Sequence, residues 1–206
     1  MARSASANAK GTRAKASGEP AAKGNRVHVA LLRGINVGGK NMLPMKDLVG
    51  MFEAAGCGDV QSYVQSGNVV FRADPALARS LSGRIAADIA DRFGHRVPVI
   101  LRTEREIRDV KDENPLLAAG ADPGTLHVGF LADLPTAAGA ASLDPERSPP
   151  DTFVVQGREI YLCCPEGLAR TKLSNAYFDT KLGTTSTVRN WRTVLELARM
   201  AAALRG

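Results

Sequence analysis

The sequence predicts an α+β protein of two tandem ferredoxin-like units, each a βαββαβ array with a trailing helix. Three observations carry this. Strand-length apolar runs and segments of helical period follow one another as strand, helix, strand, strand, helix, strand, helix. That order then recurs in the second half. Between the halves, residues 114–124 are rich in Pro, Gly and Asp, as a boundary would be. The expected organisation is a basic tail at 1–26, a first unit at 27–114 and a second at 124–206.

Each element has its own signal. Residues 27–33 open with the apolar run Val27 to Leu32, a strand. The glycine-rich stretch Arg33-Gly34-Ile35-Asn36-Val37-Gly38-Gly39-Lys40-Asn41 follows, and Pro44 suits the first turn of a helix. Leu48, Met51, Phe52 and Ala55 recur at helical spacing up to the terminator Gly56. Val60–Ser66 and Asn68–Arg72 flank Gly67 and alternate in polarity, which predicts a hairpin. On that alternation Tyr63 and Gln65 share one face and Ser66 takes the other. Pro75 to Phe93 is a long amphipathic helix closed by Gly94. Val97 to Arg102 is a strand, with Pro98 near its start or at an edge. Thr103-Glu104-Arg105-Glu106 is a capping box opening a helix to about Asp112.

In the second half, Leu126–Leu131 aligns with Val27–Leu32, and Phe153–Tyr161 with Tyr63–Phe71. Val188-Arg189-Asn190 aligns with Leu101-Arg102-Thr103, so Asn190 falls at a helix cap. Between them lie a short Ala-rich helix near 136–142, the loop Asp144 to Pro150 and a helix near 173–182, where Ser174 or Asn175 is the cap. Trp191, Val194, Leu195 and Ala198 recur at i, i+3, i+4 and i+7, so the lone tryptophan belongs to the core.

Composition sets outer bounds. The 44% hydrophobic and 23% charged content is that of a soluble globular chain. No run approaches the roughly 20 apolar residues of a membrane span, so no membrane partner is expected. Residues 1–26 lack the apolar segment of a secretory signal. Their Arg-, Ser- and Ala-rich, acid-poor composition overlaps with transit peptides, but a disordered basic tail on a cytoplasmic protein is the simpler reading. The net charge is +6. Six cations and one acid give the tail +5, so residues 27–206 are nearly neutral at +1. Such a tail attracts polyanions weakly and without sequence preference. Cys57, Cys163 and Cys164 have neither metal-ligand nor disulfide spacing.

Gly34 to Lys40 imitates a phosphate-binding P-loop after a strand. However, Asn41 stands where a hydroxyl would hold Mg²⁺, and Pro44 delays the helix. A looser nest of amides binding an anion is compatible with the same residues, as is a plain structural glycine turn. Tyr63, Gln65, Ser66 and Asn68 form a second polar cluster around Gly67, where turn chemistry is the plainer reading. Arg189 and Asn190 form a third, as anion binder and cap. His28 and His127 occupy equivalent strand positions, and no histidine has a metal partner at ligand spacing. No metal site is predicted, and the sequence leaves any cofactor unknown.

The segments Ala30 to Asn41, Tyr63 to Phe71 and Arg189 to Val194, taken in that order, resemble the bacterial domain-of-unknown-function family numbered 1697, over about residues 27–204. The resemblance implies a tandem pair of ferredoxin-like units and no particular activity. Its characteristic polar positions fall on Arg33, Asn36, Lys40, Asn41, Gln65, Ser66, Asn68, Arg189 and Asn190. Glu196 departs from the lysine often found in relatives. The expectation is a cytoplasmic protein binding a phosphate- or nucleotide-type anion. Lys40 and Arg189 would supply charge, Gly38 and Gly39 amides, and Asn36 and Asn190 orientation. Two other classes stay open: a nucleic-acid-associated protein using the tail, and an enzyme acting on a phosphorylated metabolite.

Overall fold

A computed structural model describes residues 26–205. The tail expected at 1–26 therefore lies outside the described residues, except for Arg26. The first half runs β1 (Arg26–Leu32), α1 (Met45–Ala54), β2 (Gly58–Tyr63), β3 (Asn68–Ala73), α2 (Pro75–Phe93), β4 (Val99–Thr103) and α3 (Glu104–Asp112). A short helix α4 (Pro115–Ala118) and a 3₁₀ turn at Pro123–Thr125 lead into β5 (Leu126–Leu131). Then come α5 (Ala137–Ala141), β6 (Thr152–Gln156), β7 (Glu159–Cys163), α6 (Asn175–Leu182), β8 (Ser186–Asn190) and α7 (Trp191–Arg205).

The strands form two four-stranded antiparallel sheets, ordered β2-β3-β1-β4 and β6-β7-β5-β8. The protein is thus mixed α+β. In each sheet the central strand is apolar on both faces, since both are covered. Ala30 and Leu32 of β1 face α1 and α2, together with Leu48, Phe52, Leu81 and Ile85. Val27, Val29 and Leu31 face the other way, into a cluster shared with Val128 and Phe130 of β5. That shared cluster contains Ile107 and Val110 of α3 and Trp191, Val194 and Leu197 of α7. A third cluster, with Leu131, Leu162, Phe178 and Leu182, lies between the second sheet and α6.

The helix ends follow from local chemistry. The Thr103 hydroxyl accepts from the Glu106 amide while the Glu106 carboxylate accepts from the Thr103 amide, a complete capping box. Asn190 Oδ1 accepts from the Thr193 amide and opens α7, and Ser174 caps α6. Trp191 is buried as its stripe predicts, whereas Leu195 of the same stripe is 41% exposed.

One detail of the sequence alignment fails. The first hairpin closes on Tyr63 opposite Asn68, with four residues in the turn, whereas the second closes on Gln156 opposite Glu159, with two. Register therefore places Asn68 with Glu159, and Tyr63 with Gln156 rather than with Phe153. Gln65 and Ser66 belong to the turn, where Val64 and Gly67 take φ of 49° and 75°, so strand alternation does not assign them faces.

Candidate functional site

The glycine-rich stretch is an ordered loop leaving the C-terminal end of β1. The Asn36 side chain holds it from inside: its Nδ2 donates to the Leu43 and Gln65 carbonyls, both at 2.8 Å, and its Oδ1 accepts from the Leu43 amide. Asn41 Nδ2 donates to the Gly34 carbonyl at 2.9 Å, and the Asn36 amide donates to the Asn41 carbonyl. Both asparagines take positive φ, which asparagine tolerates better than most side chains. At the tip, Gly38 and Gly39 take φ of 58° and 74° between the bridged pair Val37 and Lys40, as a primed two-residue turn requires.

What the loop offers outward differs from what holds it. No described residue accepts a hydrogen bond from the Gly38 or Gly39 amide. Lys40 is exposed and extends from the same turn. Val37 and Met42 are about two-thirds exposed, and Val64 of the adjoining β2–β3 turn is half exposed. Gln65 is exposed beside it. Arg33, at the loop's root, is ion-paired with Asp179 of α6.

Arg189 meets the end of β1, where the loop begins, and the adjoining β2–β3 turn. It is only 8% exposed. Its Nη2 donates to the Leu32 carbonyl at 2.6 Å and to the Ser66 and Gly67 carbonyls, and its Nε donates to Asn68 Oδ1 at 2.5 Å. Nη1 donates to Thr187 Oγ1 and the Val188 carbonyl. Asn68, fully buried, turns its Nδ2 to the Tyr63 carbonyl and Ser66 Oγ. Arg189 thus ties β8 to the end of β1 and to the β2–β3 turn, and its donors are occupied by protein. The sequence expectation of a ligand-facing guanidinium does not match this burial. Asn190 is likewise engaged as the α7 cap.

A second arginine, not singled out from the sequence, mirrors it. Arg102 of β4 donates through Nη2 to the Leu131 carbonyl at 2.7 Å and the Arg158 carbonyl at 3.0 Å, at the end of β5 and in the β6–β7 turn. Its Nε meets Glu159 Oε1 at 2.9 Å. By register, Glu159 occupies the place of Asn68. The edge strands β4 and β8 thus each send one buried arginine to the other sheet. The available sequence signal was the alignment of Arg102 with Arg189.

The two arginines differ in charge balance. Arg102 faces a carboxylate; Arg189 faces a neutral amide. Burial pushes Arg189 down to about 10. Burial also lowers Arg102, against the opposing pull of Glu159. Arg189 stays cationic at neutral pH without an anion against it. Because Asp179 balances Arg33, the loop and the end of β1 retain the charges of Lys40 and Arg189.

Comparison with known proteins adds little chemistry. The family described as a protein of unknown function (DUF1697) matches residues 26–161. A solved structure of a conserved bacterial protein from Streptococcus pneumoniae aligns with a TM-score of 0.61, over 86% of this chain and 99% of that one. At 22% sequence identity that likeness is one of fold. No curated protein matches the chain.

Proposed function

The chain belongs to the DUF1697 family of proteins of unknown function, and we propose that it binds a phosphate- or nucleotide-type anion at the 33–41 loop. One observation carries this reading: a loop held rigid from inside presents open amides and Lys40, and where it leaves β1 lies a buried arginine that no carboxylate among the described residues neutralises. Fixed amides and a positive charge in a low-dielectric setting favour an anion without reorganisation on binding. Lys40 and the Gly38 and Gly39 amides would contact the charged group, with Gln65 and Ser66 at the side of the site. Val37, Met42 and Val64 would take an apolar or ring portion. Asn36, Asn41 and Asn68 would shape the site, and Arg189 would act through its field rather than by contact.

The same reading treats the protein as cytoplasmic, and residues 27–114 and 124–206 as ferredoxin-like units related by duplication. The matching strand orders and the reciprocal arginines support that view. No described helix is long and apolar enough to cross a membrane.

The test is calorimetric titration of the parent and Lys40→Ala with inorganic phosphate and with mononucleotides. The expected result is nucleotide binding by the parent, weakened about tenfold in Lys40→Ala as one charge-assisted contact is lost. Equal affinities in the two proteins, for every anion that binds, would sink the reading.

A further inference from the structure

We propose a second anion site, separate from the glycine-rich loop, in a cleft of about 320 Å³ where β1 begins and α7 ends. Four arginines from four elements line it: Arg26 opens β1, Arg72 is near the end of β3, Arg105 is in the first turn of α3, and Arg205 ends α7. Among the described residues Glu104 alone brings a carboxylate to the lining, which sums to +3, while Asp59 and Asp109 pair with Arg72 and Arg105 from its margin. The residues lie up to 179 positions apart, and no linear motif announces them.

Local duties account for part of this charge. Arg72 donates to the Leu204 carbonyl, satisfying the last turn of α7, and pairs with Asp59 at 2.9 Å. The other three are held less tightly, Arg105 and Arg205 only by longer ion pairs. Arg105 and Arg205 stand 3.7 Å from Asp109 and Glu104, too far for a hydrogen bond. Arg26 has no carboxylate within 4.0 Å among the described residues. Each guanidinium presents five N–H donors in a planar fork that fits phosphate or carboxylate oxygens two at a time. Like charges facing one opening repel each other, and a multiply charged anion relieves that repulsion. The volume suits a compact polyanion, a pyrophosphate or phosphorylated metabolite, better than a large ligand. The chemistry is that of a phosphoryl group held by several arginines.

Calorimetric titration of the full chain with inorganic pyrophosphate tests this, using the parent, Arg26→Gln/Arg105→Gln and Lys40→Ala. Neither Arg26 nor Arg105 anchors the fold, so the double variant is expected to keep the parent melting temperature. Its pyrophosphate affinity is expected to fall about a hundredfold, roughly tenfold per lost arginine contact. Lys40→Ala keeps the cleft site, which separates this proposal from the loop reading. Failure of the parent to bind pyrophosphate would overturn it, as would binding that disappears in Lys40→Ala, or that keeps the Lys40→Ala affinity when Arg26→Gln and Arg105→Gln are added to that variant. Binding of DNA or RNA by the parent without pyrophosphate binding would also overturn it.

Discussion

Replacing Arg189 by methionine tests the buried latch directly. The substitution keeps most of the side-chain length and removes the guanidinium. Two opposing effects follow. Burial pushes Arg189 down to about 10, so removing the charge relieves about 3 kcal/mol of cost against folding. The acceptors it leaves behind are the Ser66 and Val188 carbonyls, Thr187 Oγ1 and Asn68 Oδ1; the Gly67 carbonyl keeps its bond from the Leu32 amide, and the Leu32 carbonyl one from the Thr187 hydroxyl. Each orphaned acceptor costs about 1–3 kcal/mol when it stays dry. Ser66 lies in a partly exposed turn and recovers water, which leaves about three full penalties. The net is a loss of roughly 2 kcal/mol, or about 5 °C in melting temperature for a fold of this size. Arg102→Met should cost more, about 3–5 kcal/mol, because it strands the Glu159 carboxylate beside buried apolar groups. Urea denaturation of parent and both variants gives the comparison. Arg189→Met at or above parent stability, or more damaging than Arg102→Met, would refute this account of the two cradles.

Three further outcomes are expected. His28 stacks on Phe71, its Nε2 has no hydrogen-bond partner among the described residues, and burial lowers its pKa below 6.5, with Glu106 opposing. Protonation then favours the unfolded chain, so this contribution is present above about pH 6.5 and is lost as the pH falls. His28→Phe should flatten the decline in stability between about pH 7 and 5; parallel parent and variant curves would count against it. Gly67→Ala should cost about 3 kcal/mol, measured as a urea midpoint, since φ is 75° and the new methyl would lie 2.7 Å from Leu32 Cβ and 2.9 Å from Ile35 Cδ1. Asn36→Ala removes three of the side-chain bonds that hold the loop and leaves the one from Asn41 to Gly34. Amide exchange across 33–43 should accelerate while β1 and β5 keep their protection; an unchanged loop would show that backbone contacts suffice.

The order of elements was legible because each had its own local signal. The Thr103–Glu106 box, the Asp74-Pro75 start of α2, Gly94 and Asn190 all punctuate helices by hydrogen-bonding chemistry that acts within a few residues. The hairpin alignment was not legible to the residue. Gly67 and Gly157 look equivalent in sequence, yet they sit in turns of four and two residues. A glycine match says that positive φ is needed nearby and does not count the residues around it. The placement of α3 and α7 in one shared core was also hidden. An apolar stripe such as Trp191, Val194 and Ala198 demands burial without naming the surface that provides it.

The candidate site divides along the same line. Asn36 and Asn41 look like ligand-facing residues in a list of polar positions, because a side chain that orders a loop has the same chemistry as one that grips a ligand. Only the hydrogen-bond partners distinguish them, and these partners are carbonyls of the loop and its neighbour. Arg189 follows the same logic at the centre of the fold. Its counterpart in the first half, Arg102, meets Glu159 and forms a neutral cradle, whereas Arg189 meets Asn68 and forms a charged one. Stability alone would favour the carboxylate in both places, since a buried guanidinium faced by an anion is better compensated than one faced by an amide dipole. The uncompensated charge lies at the end of β1, where the loop that keeps open amides and Lys40 begins. An anion held by that loop would supply, when bound, the balance that Glu159 gives permanently to Arg102.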